Sequence, residues 1–225
     1  MNHIWTEDTG SGLHYWKLVN KYLLRNQFQV ESKGGNQGLL DAVRELVPEK
    51  GDRYYVAFDV VYDNMDVVNK YLELNELAAI YPEQIVLLDM ICFEYIVLCF
   101  QKLIEWTGTA KQDKIRIRDK IMVAVKDHKI EIGLIDDVKT RDYLKGFKHY
   151  STERVIKAVT YELTENDRWS VKGEKMGDCW YMDCCILDHL KKVRCNVGRR
   201  KTGDEKIIEF LMDLATQRLV KVMKE

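Results

Sequence analysis

Acidic side chains stand at or just beyond the ends of three strands that the sequence predicts. They are Glu7 and Asp8, Asp59 and Asp63, and Asp89 and Glu94. Ligands of a parallel α/β sheet bind beyond the carboxyl ends of its strands, so we expect these carboxylates to converge at one edge. Such a concentration of negative charge is unfavourable unless a hard cation such as Mg²⁺ or Mn²⁺ neutralises it. The set indicates metal-assisted phosphoryl chemistry, although any single acid is more simply a helix cap or a solvated turn residue.

Short β-rich runs alternate with helical periodicity through the first hundred residues. Strands are predicted at residues 3–6, 27–32, 54–58 and 85–88. Apolar residues recur at helical spacing over residues 13–23, 39–47 and 65–80. Strands separated by helices of this length imply right-handed crossovers and a mainly parallel sheet. The predicted fold class is therefore α/β, with a mainly parallel sheet flanked by helices.

The character of the sequence changes after Trp106. Residues 108–120 are polar and basic, and helical periodicity returns at residues 152–163 and again at residues 202–224. We divide the chain into an α/β domain, residues 1–106, and a basic, mostly helical extension packed on it, residues 107–225.

Composition predicts a globular protein of the cytoplasm. Of the 225 residues, 46% are apolar and 32% are charged, which excludes a disordered or fibrous chain. The longest uninterrupted apolar stretch, residues 95–100, is far shorter than the roughly 20 residues of a membrane span, and no basic-then-apolar leader opens the chain. Six cysteines without a framework spacing indicate reduced thiols.

The net charge of -1 hides an asymmetry between the two halves. Residues 1–104 hold 9 basic and 15 acidic residues, whereas the remainder holds 26 and 21. Residues 111–129 contribute seven of these cations, and six more lie within eleven residues, namely Lys191, Lys192, Arg194, Arg199, Arg200 and Lys201. Clusters of this kind neutralise nucleic-acid phosphates, although a solvated basic surface explains them about as well.

The densest group of cysteines lies in the second half of the chain. It comprises Cys179, Cys184, Cys185 and Cys195, with His189 nearby. Structural zinc sites usually carry a Cys-x-x-Cys knuckle, and this group has none. Reduced, buried thiols are therefore the favoured interpretation, with zinc the less favoured one.

Three stretches together resemble Toprim domains. Residues 4–8 read IWTED and precede a glycine-rich turn, as in the opening strand that delivers a glutamate. Residues 56–59 read VAFD and resemble the later strand that delivers an Asp-x-Asp pair. Residues 91–100 read ICFEYIVLCF, which is similar to the Cys-Phe-Glu-x-Trp, aliphatic run and Phe signature of the RloB-like branch. The resemblance covers about residues 3–102, and the overall length also matches that branch.

The resemblance implies a metal-dependent, nuclease-like fold found in prokaryotic phage defence, often encoded beside an ATPase of the OLD or ABC type. By position, Glu7 would be the general base or a metal ligand, Asp59 the first metal aspartate and Glu94 the acid specific to the branch. The second aspartate of the family pattern falls on Val61, and Asp63 is a candidate to replace it.

Two functional hypotheses follow. The first is a nuclease dependent on Mg²⁺ or Mn²⁺, in which Glu7, Asp59 and Glu94 are catalytic and Asp63 joins Glu7 and Asp59 as a metal ligand. The basic half of the chain would then hold the nucleic acid. The second is a non-catalytic sensor or regulatory subunit of a partner ATPase, which the valine at position 61 favours. Both leave an oligomeric assembly open.

Overall fold

A computed structural model of the chain describes residues 1–9, 11–107, 111–125, 136–147, 151–164 and 208–225. The strands are β1 (Asn2–Thr6), β2 (Phe28–Ser32), β3 (Arg53–Asp59) and β4 (Ile85–Met90). The helices of the first half are α1 (Ser11–Leu23), α2 (Asn36–Arg44), α3 (Met65–Ala78), α4 (Phe93–Cys99) and α5 (Leu103–Thr107). Those of the second half are α6 (Gln112–Val125), α7 (Val138–Leu144), α8 (Thr152–Thr164) and α9 (Leu214–Lys224).

The four strands form one parallel sheet in the order β2-β1-β3-β4. The register places Thr6 of β1 opposite Ala57 of β3, so the chain leaves both strands at the same edge. This confirms the predicted fold class, an α/β sheet flanked by helices. Helix α2 differs from the prediction because it ends at Arg44. Beyond it, the Glu45 amide donates to the Asp41 carbonyl and the Leu46 amide to the Val43 carbonyl.

The sheet buries both of its faces, because alternate side chains of a strand point in opposite directions. On β3, Tyr55 and Ala57 join a core with α1, α4 and α9, while Val56 and Phe58 join a second core with α2 and α3. Such two-sided burial explains why β3 reads as an almost continuous apolar run.

Helices α6 and α8 belong to the second of these cores. Ile117 of α6 and Val155 of α8 are buried in the same cluster as Phe58. Helices α6 and α8 of the second half are therefore packed on the sheet side of the second core and on α4, while the boundary at residue 106 stays a prediction.

The C-terminal helix is shorter than predicted. Over residues 208–225 the helical conformation breaks at Met212 and Asp213, so the continuous helix at residues 202–224 was wrong there. Asp213 has an extended backbone and its carboxylate accepts a hydrogen bond from the Ala215 amide, which starts α9 afresh. None of the helices in the described ranges is both long and apolar enough to cross a membrane.

Candidate active site

The carboxyl edge of the sheet collects the acids that the sequence singled out. Glu7 and Asp8 follow β1, Asp59 is the last residue of β3, and Glu94 lies in the first turn of α4. We call these four residues the acidic edge. The Asp59 carboxyl is hydrogen-bonded to the Glu7 carboxylate, and Glu94 and Asp8 act on Asp59 through their charges. The structure therefore brings together Glu7, Asp59 and Glu94, the three predicted catalytic residues.

Local structure explains how each acid reaches this edge. Strand β1 ends at Thr6, so Glu7 and Asp8 follow directly beyond the sheet. Strand β3 continues beside β4 as far as Asp59, its last residue. Helix α4 begins immediately after Cys92, whose extended backbone turns the chain back over the edge of the sheet. Negative charge in the first turn of a helix is favoured by the helix dipole, which suits Glu94 at this position.

Burial and mutual repulsion perturb every acid of this group. Burial, followed by the charges of Glu7 and Asp8, raises the pKa of Asp59 well above its ordinary value. Burial also raises the pKa of Glu7 to about 7, although the hydrogen bond from Asp59 opposes the change. Burial likewise raises the pKa values of Asp8 and Glu94. Without a cation, the group relieves its charge by retaining protons.

The most enclosed oxygen of the acidic edge has no donor. Asp59 Oδ1 is sealed from solvent, and none of the described residues offers it a hydrogen bond. A buried acceptor without a partner costs free energy, on the order of 1–3 kcal/mol. Carboxylate oxygens held in this way are the kind of ligand that a hard divalent cation takes.

Helix α8 adds two residues that sequence reasoning missed. Lys157 Nζ lies 3.4 Å from Glu94 Oε1 and also pairs with Glu153, one helical turn earlier. Although burial disfavours its charged form, Glu94 and Glu153 raise the pKa of Lys157, so the ammonium stays charged. The only sequence signal was an i, i+4 pair of opposite charges, Glu153 and Lys157, on a predicted helix. The packing of α8 against α4 brings this pair next to Glu94.

Asp63 is engaged elsewhere. Its Oδ2 accepts hydrogen bonds from the Thr152 amide at 2.6 Å and from the Thr152 hydroxyl at 3.0 Å. These bonds fix the start of α8, the helix that carries Lys157. Its predicted role as a metal ligand therefore competes with a capping role that the structure shows directly.

Val61, at the position where the resemblance to Toprim domains implies a second aspartate, is 5% exposed and belongs to the second core. A carboxylate at this position would be buried among apolar side chains. Val61 therefore packs the sheet, and the acids that lie with Glu7 and Asp59 at this edge are Asp8 and Glu94.

Gly12 lets Asp8 approach the first turn of α1. A Cβ atom at position 12 would lie 2.0 Å from Asp8 Oδ2, far inside contact distance. The Asp8 amide in turn donates to the Thr6 hydroxyl at 3.3 Å. The glycine after β1 therefore makes room for a carboxylate.

Within the described ranges, no group of three or more His, Cys, Asp and Glu side chains is arranged to hold a metal ion. Burial instead raises the pKa values of Glu7 and Asp59, which favours retention of a proton by this pair. The oxygen types and the uncompensated Asp59 Oδ1 fit a hard cation, and Glu7 and Asp59 are the pair that would hold it after loss of that proton.

Several described cations of the basic half are already used inside the protein. Lys114 pairs with Glu162 at 2.5 Å, and Arg116 pairs with Asp137 at 2.7 Å. The buried Arg118 guanidinium donates to the carbonyls of Leu98 and Phe100. These contacts reduce the charge that α6 can offer to nucleic acid.

Two predicted clusters lie outside the described residues. They are the basic group Lys191, Lys192, Arg194, Arg199, Arg200 and Lys201, and the cysteines Cys179, Cys184, Cys185 and Cys195. Cys92 and Cys99 do lie within the described residues and are free thiols.

Comparison with known proteins finds no match to a family model, to a curated protein or to a solved structure. What defines the site is therefore its own geometry: a parallel α/β sheet with a proton-sharing carboxyl pair and a charged lysine at its carboxyl edge.

Proposed function

We propose that the chain is a divalent-metal-dependent phosphodiester hydrolase that acts on nucleic acid. The observation that carries this proposal is the Glu7–Asp59 carboxyl pair at the carboxyl edge of the sheet, with Lys157 held beside it by Glu94. Acids and a cation in one place are what a phosphodiester reaction needs: oxygen ligands for a metal and a positive charge for the phosphate.

Glu7 and Asp59 would hold Mg²⁺ or Mn²⁺, with Asp8 and Glu94 close enough to share its charge. The bound ion supplies a Lewis acid that lowers the pKa of an attacking water and offsets charge on the phosphate. Its charge also removes the reason for Glu7 and Asp59 to retain a proton, so metal binding and proton release are coupled.

The remaining work falls to residues of this chain. The Lys157 ammonium, kept charged by Glu94 and Glu153, would bind a non-bridging phosphate oxygen and orient the phosphodiester. Glu94 is the acid of this edge that contacts Lys157, and it would fix the lysine in place. Asp63 would act indirectly, because it anchors the start of α8, the helix that carries Lys157.

The biological setting rests on the resemblance to Toprim proteins of the RloB-like branch. By that resemblance, the hydrolase would serve prokaryotic phage defence, and a partner ATPase of the OLD or ABC type would control it. The basic residues 191–201 would hold the nucleic acid, a role for which α6 is less suited because its cations are paired internally.

A second candidate is a non-catalytic module that senses or regulates through a partner ATPase. The burial of Val61 favours it, since the position of the family's second metal aspartate is part of the core. The two candidates differ in one measurable property, namely whether the acidic edge binds a divalent ion.

Titration of Mn²⁺ into the full-length chain by calorimetry tests the proposal. We expect binding by the wild type that is lost in Glu7→Gln and in Asp59→Asn, and retained in Glu76→Gln, an exposed acid on α3. The binding-competent protein would then be assayed on DNA and RNA. A wild type that binds no Mn²⁺ would contradict the hydrolase and leave the regulatory module.

A further inference from the structure

A second pocket lies at the opposite, amino edge of the same sheet. Its volume is about 710 Å³, within the range of ligand sites. The start of β1, the turn after α1 and the end of α9 contribute to its walls. Three of the lining residues are cations: Arg25, Arg53 and Lys224. We call this the amino-edge pocket.

The cations of this pocket are not committed to other groups. Arg25, Arg53 and Lys224 are exposed, and none of their side chains forms an ion pair with any residue in the described ranges. The one acid in the lining, Glu225, lies nearer to Lys221, at 3.8 Å. By contrast, cations elsewhere on the surface, such as Arg44 and Lys70, pair with neighbouring acids. Three unpaired positive charges around one concavity attract an anion.

Arg25 is held in a conformation that an arginine rarely adopts. Its φ is 56°, in the left-handed region that favours glycine, and Asn26 follows with a φ of 57°. The turn closes α1 through a hydrogen bond from the Asn26 amide to the Asn20 carbonyl. A helix end of this kind normally carries glycine at the left-handed position. Arginine at this position therefore places a cationic side chain here although its backbone conformation is strained.

Buried Asn20 makes this turn rigid. Its side chain donates to the Phe28 carbonyl at 2.7 Å and accepts from the Phe28 amide at 3.2 Å. These bonds hold the turn between α1 and β2 at both ends, so the backbone of Arg25 is positioned before any ligand binds. Such preorganisation lowers the entropy cost of binding.

We infer that the amino-edge pocket binds a small anion that carries two or more phosphate-type charges, such as pyrophosphate or a nucleoside diphosphate. The guanidinium groups of Arg25 and Arg53 would form paired hydrogen bonds to phosphate oxygens, and Lys224 would add a point charge. Along β1, Asn2 in the pocket lies five residues before Glu7 at the acidic edge, a distance of roughly 16 Å, since a strand rises about 3.3 Å per residue. It is therefore an effector site, separate from the proposed site of hydrolysis.

Calorimetric titration of pyrophosphate into the full-length chain, with EDTA present, tests this inference. EDTA removes divalent ions, so that the acidic edge cannot contribute through a bridging metal. We expect one-to-one binding that weakens about tenfold or more in Arg53→Gln and in Arg25→Gly. Lys17→Gln removes an exposed cation of α1 away from the pocket and serves as the matched control, with unchanged affinity.

Arg25→Gly also separates ligand binding from folding. Glycine adopts the left-handed conformation without strain, so this variant loses the guanidinium but keeps the turn, and its melting temperature does not fall. Asp59→Asn is expected to bind pyrophosphate with the affinity of the wild type. This variant therefore distinguishes failure of the anion site from failure of the proposed hydrolase. Absence of binding by the wild type, or equal affinity in all variants, would overturn the inference. Binding of a short oligonucleotide in place of pyrophosphate would overturn the assignment of a small anion.

Discussion

The two edges of one sheet hold opposite charges and hold them differently. At the carboxyl edge, the acids are buried and their pKa values are raised, which favours retention of protons. Lys157 of α8 contacts one of them, Glu94. At the amino edge, cations stand exposed and unpaired around a pocket. The first arrangement stores unfavourable free energy in the protein, whereas the second leaves most of its charge in water.

This difference predicts which property a substitution at each edge will change: activity, stability or ligand affinity. Removing charge from the acidic edge changes chemistry and stability in opposite directions, because the same repulsion that disfavours the fold prepares the site for a cation. Removing an exposed cation from the amino-edge pocket changes ligand affinity with little effect on folding. The predictions below test that contrast, from the largest expected effect to the smallest.

Asp59→Asn is expected to abolish nucleic-acid cleavage. The loss of metal-assisted charge stabilisation, several kcal/mol, corresponds to roughly 100-fold to 1000-fold in rate. Cleavage of a labelled substrate with Mn²⁺ measures it, and circular dichroism checks the fold. Cleavage at the wild-type rate would remove Asp59 from the mechanism.

Lys157→Gln is expected to reduce cleavage roughly 10-fold to 100-fold, as one charge-assisted hydrogen bond of about 1.5–3 kcal/mol is lost. Mn²⁺ binding should persist, because the acids remain. Lys70→Gln breaks an exposed ion pair of the same i, i+4 spacing with Asp66 and is the matched control. Equal effects of the two substitutions would mean that Lys157 is only a helix-surface residue.

Asn20→Ala is expected to destabilise the fold by about 1–3 kcal/mol, because the amide and the carbonyl of Phe28 lose their buried partner. Pyrophosphate affinity should fall together with stability, since the turn that carries Arg25 is released. Chemical denaturation and calorimetry measure the two effects. Normal pyrophosphate affinity in the destabilised variant would show that the pocket does not need this turn.

The metal-free protein is expected to lose stability between about pH 5 and pH 8. Glu7 and Asp59 have pKa values raised by burial, to about 7 for Glu7, so the folded state retains protons that the unfolded state releases. Their contribution is complete below the ordinary acid range and is lost as the pH rises through 7. The expected change is about 3 kcal/mol, since a pKa raised from 4.5 to about 7 corresponds to about 1.4 kcal/mol for each pH unit.

Thermal unfolding in EDTA at several pH values measures that loss. Asp59→Asn, which stays neutral, should flatten the profile and be more stable than the wild type at pH 8, whereas Glu76→Gln should follow the wild type. Identical profiles for Asp59→Asn and the wild type would contradict the buried, proton-sharing pair.

Arg25→Gly is expected to give the smallest change, a stabilisation of about 0.5–1 kcal/mol through relief of the left-handed backbone. The greater freedom of glycine in the unfolded chain offsets part of that gain. Chemical denaturation detects it. A destabilised Arg25→Gly would mean that the arginine side chain supports the fold.

Much of the fold was predictable because local pattern and burial agree in the first hundred residues. The run at β3 is apolar on both faces, and helical periodicity separates it from its neighbours, so a parallel sheet follows from sequence. The convergence of Glu7 and Asp59 follows from the same topology. The final helix was overextended, because its apolar spacing continues through Asp213, where a capping carboxylate starts a new helix.

By itself, the sequence determined which acids leave the strands and at which edge they meet. Only the tertiary structure decided which cation joins them, because Lys157 comes from a helix more than sixty residues beyond Glu94 in the chain and arrives by packing of α8 on α4. Tertiary packing likewise assigned Asp63 to the start of α8 and grouped Arg25, Arg53 and Lys224 around one pocket. Periodicity and spacing encode local conformation, whereas contacts between residues distant in the chain depend on how the buried faces fit together.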